Sequence, residues 1–316
     1  MKVYDCFIMS SELDILELRL AYLYNTVDFF VLVESNQTLA GNPKPLFYQE
    51  NQTRFKRFSD KIIHVIAPNM PGYGAWEYEY FQRDYIKQGL TNCTDEDIIL
   101  ISDVDEIVNL PAILKINDLQ LPVLIDLPFY YYFFNLKSRG SFMVNLLANY
   151  SFIKNMPLGR RIPDYNDHVK NYIPHYLVNT GWHFSYLFGF DIERYQEKLR
   201  SFAHQEFNTT YYLDPARIKQ CVTLGIDLNN NYTNLLTFKR KTSKDIALIL
   251  PFIHELKFTH YLYDPKLKDY LNFKVIGLII KRKIIPKLIA PFNYRYIVSK
   301  ILVPIWHRYK YKNSFK

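Results

Sequence analysis

The sequence predicts an α/β fold built on a doubly wound, mostly parallel, Rossmann-like sheet. Apolar runs of strand length alternate with segments of helical periodicity, and most of these runs end in polar or acidic residues. This alternation is typical of parallel strands joined by right-handed crossover helices. The chain has 316 residues, 49% of them hydrophobic, which is enough for one large domain with a substantial core.

The first 110 residues carry the alternating pattern most clearly. Apolar runs predict strands over 2–9, 28–36, 60–67 and 98–101, and helical spacing predicts helices over 12–27 and 76–89. Ser10 or Ser11 could cap the first helix, and Gly89 could end the second. Beyond Leu110 we expect a strand within the aromatic stretch 119–134, short strands at 150–153 and 176–178, and a helix over 192–201.

The charge distribution predicts two parts, a main domain over 1–264 and a basic helical extension over 265–316. The extension holds 13 Lys and Arg residues against one acid, Asp269, whereas the chain as a whole is only +8. Basic residues beside apolar ones suit a helix lying on an anionic membrane. The alternative is a C-terminal helical cap with a solvated basic face.

Three carboxylates, Asp103, Asp105 and Glu106, directly follow the apolar run at 98–101. Ligand sites in open α/β sheets lie at the carboxyl ends of strands. Carboxylates held together at such a place repel one another unless a cation neutralises them, and hard oxygen ligands suit Mg²⁺ or Mn²⁺. The alternative is an acidic turn that binds no ligand.

Several classes of protein are disfavoured by the composition. The three cysteines, Cys6, Cys93 and Cys221, show neither disulfide nor metal spacing, which favours a reducing compartment. The sequence shows no signal peptide and no apolar run long enough to span a membrane, so we expect a cytoplasmic protein. No recognition motif supports nucleic-acid binding.

Seven blocks between Met1 and Asp227 are similar, in the same order, to glycosyltransferase family 17. They are Tyr4-Asp5-Cys6-Phe7, Glu12-Leu-Asp14 with Glu17-Leu-Arg19-Leu, Val31-Leu-Val-Glu34-Ser-Asn36, Trp76 with Glu79 and Arg83, Ser102-Asp103-Val-Asp105-Glu106-Ile, Gly181-Trp182-His183-Phe184-Ser185, and Lys198-Leu-Arg-Ser-Phe-Ala-His204-Gln-Glu206. The resemblance implies a GT-A-like fold and an inverting transferase that uses a UDP-sugar, UDP-N-acetylglucosamine in the best-known member. The acceptor would be a glycan or a lipid-linked saccharide.

With this resemblance, the acidic stretch becomes a candidate metal and donor site. Asp103 and Asp105 would hold the cation that bridges the donor diphosphate, with His183 as a further ligand of the metal or of a phosphate. Glu106 would orient the site or ligate through water. Each of these residues has a structural alternative, since Glu106 could be a helix N-terminal acid and His183 could belong to a core pair with Trp182.

Donor contacts are also expected from Glu34, Arg83 and Trp182. Arg83 could pair with phosphates, or instead with Glu79 four residues earlier on the same helix. Glu34 could accept from the ribose or uracil, or could be a solvated strand end. Trp182 could stack on a sugar or fill the core.

Inversion needs a base that takes the proton of the attacking hydroxyl. Glu206, Asp191 and Glu106 are the carboxylate candidates, and His204 could serve instead. A different class of function is a non-catalytic carbohydrate- or membrane-binding protein with a transferase-like fold. A metal-dependent phosphotransferase would share the acidic motif, but the sequence lacks a Gly-rich phosphate loop.

Overall fold

The computed structural model describes residues 1–69, 74–161, 175–229, 237–238 and 244–263. The predicted basic extension over 265–316 lies outside these residues, so the division of the chain at 264 stays a prediction. None of the helices in the described ranges is both long enough and apolar enough to cross a membrane.

The described residues form a mixed α/β structure. The strands are β1 (Val3–Ile8), β2 (Phe29–Glu34), β3 (Ile62–Ile66), β4 (Ile98–Asp103), β5 (Glu106–Val108), β6 (Val123–Tyr131), β7 (Leu136–Asn149), β8 (His175–Val178), β9 (Gly181–Ser185) and β10 (Thr237–Phe238). The α-helices are α1 (Leu13–Leu23), α2 (Phe47–Glu50), α3 (Ala75–Asp84), α4 (Leu110–Ile113), α5 (Tyr150–Ile153), α6 (Ile192–Ser201), α7 (Thr210–Leu213), α8 (Pro215–Leu224) and α9 (Leu250–Glu255). Shorter 3₁₀ turns cover Gln52–Phe58, Tyr85–Gly89, Gln205–Phe207 and Thr259–Tyr261.

These strands form one sheet in the order β3-β2-β1-β4-β7-β6-β9-β5, with β8 beside β6 and β10 beside β7. The four strands from β3 to β4 are parallel, as the alternating pattern predicts. From β7 onward the sheet is mixed, because β7 runs antiparallel to both β4 and β6. Consecutive strands joined by a short link pair antiparallel, whereas parallel pairs need a long crossover. The α/β class is confirmed, and the expected mostly parallel sheet describes the N-terminal half.

Strand β4 is buried on both faces, as its unbroken apolar run predicts. Ile98 and Leu100 belong to the hydrophobic cluster on one face of the sheet, and Ile99 and Ile101 belong to the cluster on the other. Helix α1 packs in the first cluster. The strand therefore leaves the core only at its carboxyl end, where Asp103 begins a tight turn to β5.

Several sequence predictions need correction. The first helix has Glu12 at its N-cap, not Ser10 or Ser11. The first helix ends at Leu23 rather than at residue 27. The predicted strand at 150–153 is wrong, because these residues form the short helix α5 directly after β7. The Tyr150 N–H donates to the Asp97 carbonyl at 2.8 Å, which turns the chain back toward the start of β4. A short apolar run does not distinguish a strand from a turn of helix, so this tertiary contact decides the conformation.

The pairing of β5 with β9 brings two distant parts of the chain together. In this antiparallel pair Glu106 lies opposite His183, and Val108 lies opposite Gly181. On its other side β9 runs parallel to β6, where Phe129 lies opposite His183. These pairings set His183 beside the acidic residues that follow β4.

Candidate active site

A cavity of about 350 Å³ opens at the carboxyl end of β4 and is called the central cavity below. Its wall is formed by the ends of β1, β4 and β9, by the loop after β2, and by α6 with the residues that follow it. Asp103, Asp105, Arg161, His183 and Lys198 all contribute to this wall. Small-molecule sites occupy volumes of a few hundred Å³ or more, so the central cavity is of the right order for a ligand.

Residues 103–106, the acidic turn, are held from inside the protein by Arg19 of α1. This fully buried guanidinium donates from Nη1 to the carbonyl oxygens of Asp103 (2.7 Å), Val104 (3.3 Å) and Glu106 (2.9 Å). Its Nε donates to Asp5 Oδ2 at 2.8 Å, and its Nη2 is paired with the other oxygen of the same carboxylate. The planar fork of an arginine suits such a set of fixed acceptors. Arg19 therefore fixes the backbone from which the carboxylates project.

Asp103 is bound by two buried arginines. Arg83 Nη2 lies 3.2 Å from one of its oxygens, and Arg161 Nη2 lies 2.9 Å from the other. Burial alone would raise the pKa of Asp103, but the positive charges of Arg161 and Arg83 outweigh it and lower the pKa to about 2. The side chain remains 28% exposed, so the carboxylate is ionised and still accessible from the central cavity.

Arg83 makes the pair with Glu79 that its helix position predicts, at 2.7 Å. It also bonds Asp103 and the carbonyl oxygen of Gly159. These contacts join α3 to the acidic turn and to the segment before Arg161. Arg83, which the sequence predicts at the donor site, thus lies beside the acidic turn and bonds Asp103.

Glu106, the last residue of the acidic turn, is fully buried. Its Oε2 accepts from the Asp103 N–H at 2.7 Å and from Arg161 Nη1 at 2.5 Å. Its Oε1 is buried and has no hydrogen-bond partner among the described residues, and it lies 4.0 Å from His183 Nδ1. Burial raises the pKa of Glu106, and the neighbouring Asp103 and Asp105 add to this against the lowering effect of Arg161.

Asp105 faces a different set of partners. Lys198 Nζ of α6 lies 3.3 Å from Asp105 Oδ2 and 3.3 Å from Glu12 Oε1, so one ammonium bridges two carboxylates. Burial would lower the pKa of Lys198, but the charges of Asp105 and Glu12 raise it. His183 Nε2 lies 3.6 Å from the other oxygen of Asp105. The two ion pairs of Lys198 therefore connect the start of α1, the acidic turn and α6.

His183 and Trp182 are separated by the alternation of strand β9. His183 is part of the cavity wall and its ring packs on Phe129, with centroids 4.4 Å apart. Trp182 is buried in the core, where it meets the edge of Tyr22 at 5.5 Å and donates from Nε1 to the Asp245 carbonyl oxygen. The described lining of the central cavity includes His183 and does not include Trp182.

Glu34 is fully buried at the end of β2 and lies outside the lining of the central cavity. Its two oxygens accept from the backbone N–H groups of Tyr48 and Gln49, both at 3.0 Å. His64 Nε2 lies 2.8 Å from Oε1. In this structure Glu34 binds the first turn of α2.

The candidate bases occupy three different places. Asp191 is exposed at the N-terminus of α6, where it accepts from the Arg194 N–H at 3.5 Å. Glu206 is exposed and lies 2.6 Å from His204 Nδ1, and this hydrogen bond lowers the pKa of Glu206. His204 contributes to the cavity wall. Glu106, the third carboxylate candidate, is buried within the acidic turn.

The ionised groups around the acidic turn form one network with an excess of negative charge. It joins three cations to five carboxylates, namely Arg83, Arg161 and Lys198 with Glu12, Glu79, Asp103, Asp105 and Glu106. With all eight ionised, two negative charges are left over. Within the described ranges, however, no three His, Cys, Asp or Glu side chains are placed to hold a metal ion by themselves. The donor atoms of Asp103, Asp105 and His183 suit a divalent cation, provided that a ligand supplies the remaining contacts.

The sequence pattern of glycosyltransferase family 17 matches residues 1–268, which include the whole site. The chain belongs to glycosyltransferase family 17. The predicted resemblance is thereby confirmed, and so is the expectation of a glycosyltransferase at the level of the family.

Individual relatives match a shorter stretch. The β-1,4-mannosyl-glycoprotein 4-β-N-acetylglucosaminyltransferase of Homo sapiens is 31% identical over 115 residues, covering 34% of this chain and 22% of the human protein. The enzymes of the same name from Rattus norvegicus and Mus musculus are 31% and 30% identical over 115 residues, covering 34% of this chain and 21% of each relative. The chain thus matches about a fifth of the length of these relatives. No solved structure matches it.

Three residues of this family 17 site were not among the predicted site residues. Arg19 shares the apolar face of α1 with Leu16, Leu20 and Leu23, and a charge in such a stripe signals a buried partner. Lys198 lies within a block that resembles the family, but nothing local marked its role. Arg161 has no sequence signal, because its partners are 55 and 58 positions away.

Proposed function

We propose that this chain is an inverting, metal-dependent glycosyltransferase. It would transfer N-acetylglucosamine from UDP-N-acetylglucosamine to a hydroxyl group of a glycan or lipid-linked saccharide. The observation that carries this proposal is the pair Asp103 and Asp105, which line one cavity in a network whose carboxylates outnumber its cations. Family 17 membership and the names of the relatives support the reaction class and the sugar.

The charge of the site favours a divalent cation, Mn²⁺ or Mg²⁺. A nucleoside diphosphate brings further negative charge into a cavity that is already acidic, so its binding needs a compensating cation. Asp103, Asp105 and His183 would hold the ion together with the diphosphate oxygens. When bound, the cation would stabilise the charge that develops on the leaving diphosphate.

The residues around these ligands would keep them in place. Arg83 and Arg161 keep Asp103 ionised and oriented. Glu106 accepts hydrogen bonds from the Asp103 N–H and from Arg161. Lys198 restrains Asp105 from the other side. Carboxylates held in this way lose little conformational freedom when a ligand arrives, which is the advantage of a preorganised site.

For the base we favour His204 assisted by Glu206, while Glu206 itself, Asp191 and Glu106 remain the carboxylate alternatives. The contact between His204 Nδ1 and Glu206 at 2.6 Å would keep a proton on Nδ1. This leaves Nε2 free to accept the proton of the acceptor hydroxyl. His204 is part of the cavity wall, as this role requires.

A GT-A-like architecture is part of the same proposal. The parallel strands β3-β2-β1-β4, with the acidic turn directly after β4, are consistent with a nucleotide site at that sheet edge. A cytoplasmic location and contact of residues 265–316 with an anionic membrane stay predictions from the sequence.

Melting temperatures measured with a panel of nucleotide sugars, each with Mn²⁺ and with EDTA, test the proposed function. A ligand at about 100 times its Kd stabilises the state that binds it by about 2.7 kcal/mol. We expect UDP-N-acetylglucosamine to raise the melting temperature, and to do so more with Mn²⁺ than with EDTA. A chain that none of the nucleotide sugars protects would instead be a non-catalytic protein with a transferase-like fold.

A further inference from the structure

The loop after β2, residues 35–46, places a lysine in the wall of the central cavity. The loop folds on itself through a bridge between Gln37 and Pro43 and a hydrogen bond from the Thr38 N–H to the Asn42 carbonyl oxygen at 2.7 Å. The Lys44 N–H donates to the Asn36 carbonyl oxygen at 2.8 Å. The backbone at Lys44 is therefore fixed.

The tip of this loop is also attached to the end of α6. The Ala40 N–H donates to the carbonyl oxygen of Ser201, the last residue of α6, at 3.1 Å. Ser201 and Lys44 both line the central cavity. The lysine therefore projects from a segment that is anchored on both sides.

The ammonium group of Lys44 has no ion pair in the described part of the chain. The side chain is half-buried, and among the described residues its Nζ reaches only the Pro45 carbonyl oxygen at 3.4 Å and the Phe47 ring at 5.5 Å. Burial lowers the pKa of Lys44, against the raising effect of the more distant Glu34 and Glu12. A half-buried ammonium without a carboxylate loses hydration without recovering it in an ion pair.

Among the described residues of the cavity wall, the other two permanent cations are already neutralised. Arg161 pairs with Asp103 and Glu106, and Lys198 bridges Asp105 and Glu12. A bound anion would have to compete with these carboxylates for either residue. Lys44 offers its charge without such competition.

We propose that Lys44 binds the diphosphate group of the nucleotide donor. This inference rests on the proposed function and assigns a donor contact to a residue outside the acidic turn. A lysine is a compact point charge that suits phosphate oxygens. Lys44 would add a positive charge at a site where the diphosphate and the surplus carboxylates together carry more negative charge than one divalent cation neutralises. Lys44 has no contact with the acid network, so its role would not disturb that network.

Isothermal titration calorimetry with UDP and with uridine, both in Mn²⁺, tests this assignment. Hydrogen bonds to charged groups contribute enough that we expect Lys44→Ala to weaken UDP binding by about 10-fold or more. Uridine carries no phosphate, so its affinity should stay within about twofold of wild type by the same reasoning. Lys44→Arg should retain part of the UDP affinity. The matched control is Lys56→Ala, an exposed lysine outside the cavity lining, which should change neither affinity.

The outcomes separate this inference from the proposed function. If wild type binds UDP and folded Lys44→Ala binds it equally well, the assignment of Lys44 is wrong and the proposed function stands. If UDP and uridine weaken by the same factor, Lys44 shapes the cavity instead of binding phosphate. If wild type binds no UDP in Mn²⁺, both proposals fall. Melting temperatures of the variants confirm that each is folded.

Discussion

The guanidinium of Arg19 donates to the backbone carbonyl oxygen of Asp103 over 2.7 Å, so helix α1 fixes the backbone of the acidic turn. Asp5, in the middle of β1, holds the same guanidinium with both of its carboxylate oxygens. The buried Asp5–Arg19 ion pair therefore connects strand β1 to the acidic turn, which carries the candidate metal ligands. Because Arg19 bonds both Asp5 and the turn, a change that weakens this ion pair should also change the geometry of the site.

Arg19→Lys should separate the charge of this residue from its shape. Lysine keeps the positive charge beside Asp5 but cannot replace the several hydrogen bonds of the fork. We expect the free energy of unfolding to fall by about 2 kcal/mol, measured by urea denaturation. We also expect weaker Mn²⁺-dependent binding of UDP, since the turn loses its support. A variant with unchanged unfolding and unchanged UDP affinity would contradict this role.

Asp103 should contribute a pH-dependent part of the stability. Its folded pKa of about 2 lies below the usual value of about 3.9, so the unfolded state binds the proton more tightly. The contribution is therefore present above about pH 4 and is lost as the pH falls toward 2. Between pH 5 and pH 3 wild type should lose about 1 kcal/mol of unfolding free energy through this group.

Asp103→Asn removes the titrating group while keeping the shape of the side chain. The difference between urea unfolding at pH 5 and at pH 3 should accordingly be smaller in the variant than in wild type. Equal differences in the two proteins would show that the arginines do not hold the pKa of Asp103 down.

Gly181 should be intolerant of any side chain. It has φ of +146°, and a Cβ atom there would overlap the Ile107 carbonyl oxygen and come within 2.9 Å of Val108 Cα. Gly181→Ala should lower the unfolding free energy by about 3 kcal/mol, because both the backbone conformation and the β5–β9 pairing are strained. Gly74→Ala is the control, since Gly74 has φ of −69° and its Cβ would make only an ordinary 3.5 Å contact. Equal effects of the two substitutions would refute the argument.

His204 and Glu206 should affect turnover without affecting donor affinity. If His204 takes the proton, His204→Gln should slow the release of UDP from UDP-N-acetylglucosamine by about 100-fold or more, with water or glycan as acceptor. Glu206→Gln should have a smaller effect, because it removes only the group that orients the imidazole. The Kd for UDP should stay unchanged in both. Full turnover of His204→Gln would exclude His204 as the base and leave the carboxylate candidates, Asp191 and Glu106 among them.

The sequence predicts the elements whose own residues follow a regular apolar pattern. The buried strand β4 and the helix over 192–201 could be recognised because their apolar residues follow a strand or helix pattern. Strand β7 was not predicted. Its beginning is polar and contains Gly140, and its existence depends on pairing with β4 and β6. Long-range pairing of this kind leaves little periodic signal.

The candidate site shows the same division. Asp103, Asp105 and His183 could be identified from the sequence, and the structure sets them in the wall of one cavity. Arg161 could not, because only the tertiary structure brings it to Asp103 and Glu106. The acids of a site can be recognised from a motif, whereas the cations that balance them come from anywhere in the chain.

The release of UDP from UDP-N-acetylglucosamine, compared in Mn²⁺ and in EDTA, tests the central claim that a cation held at the acidic turn serves sugar transfer. Asp105→Asn is the informative variant, and Asp118→Asn is its control because Asp118 is exposed and outside the cavity lining. We predict turnover in Mn²⁺ that EDTA abolishes, a loss of about 100-fold in Asp105→Asn, and a wild-type rate in Asp118→Asn. Full turnover in EDTA, or a wild-type rate in Asp105→Asn, would contradict the account.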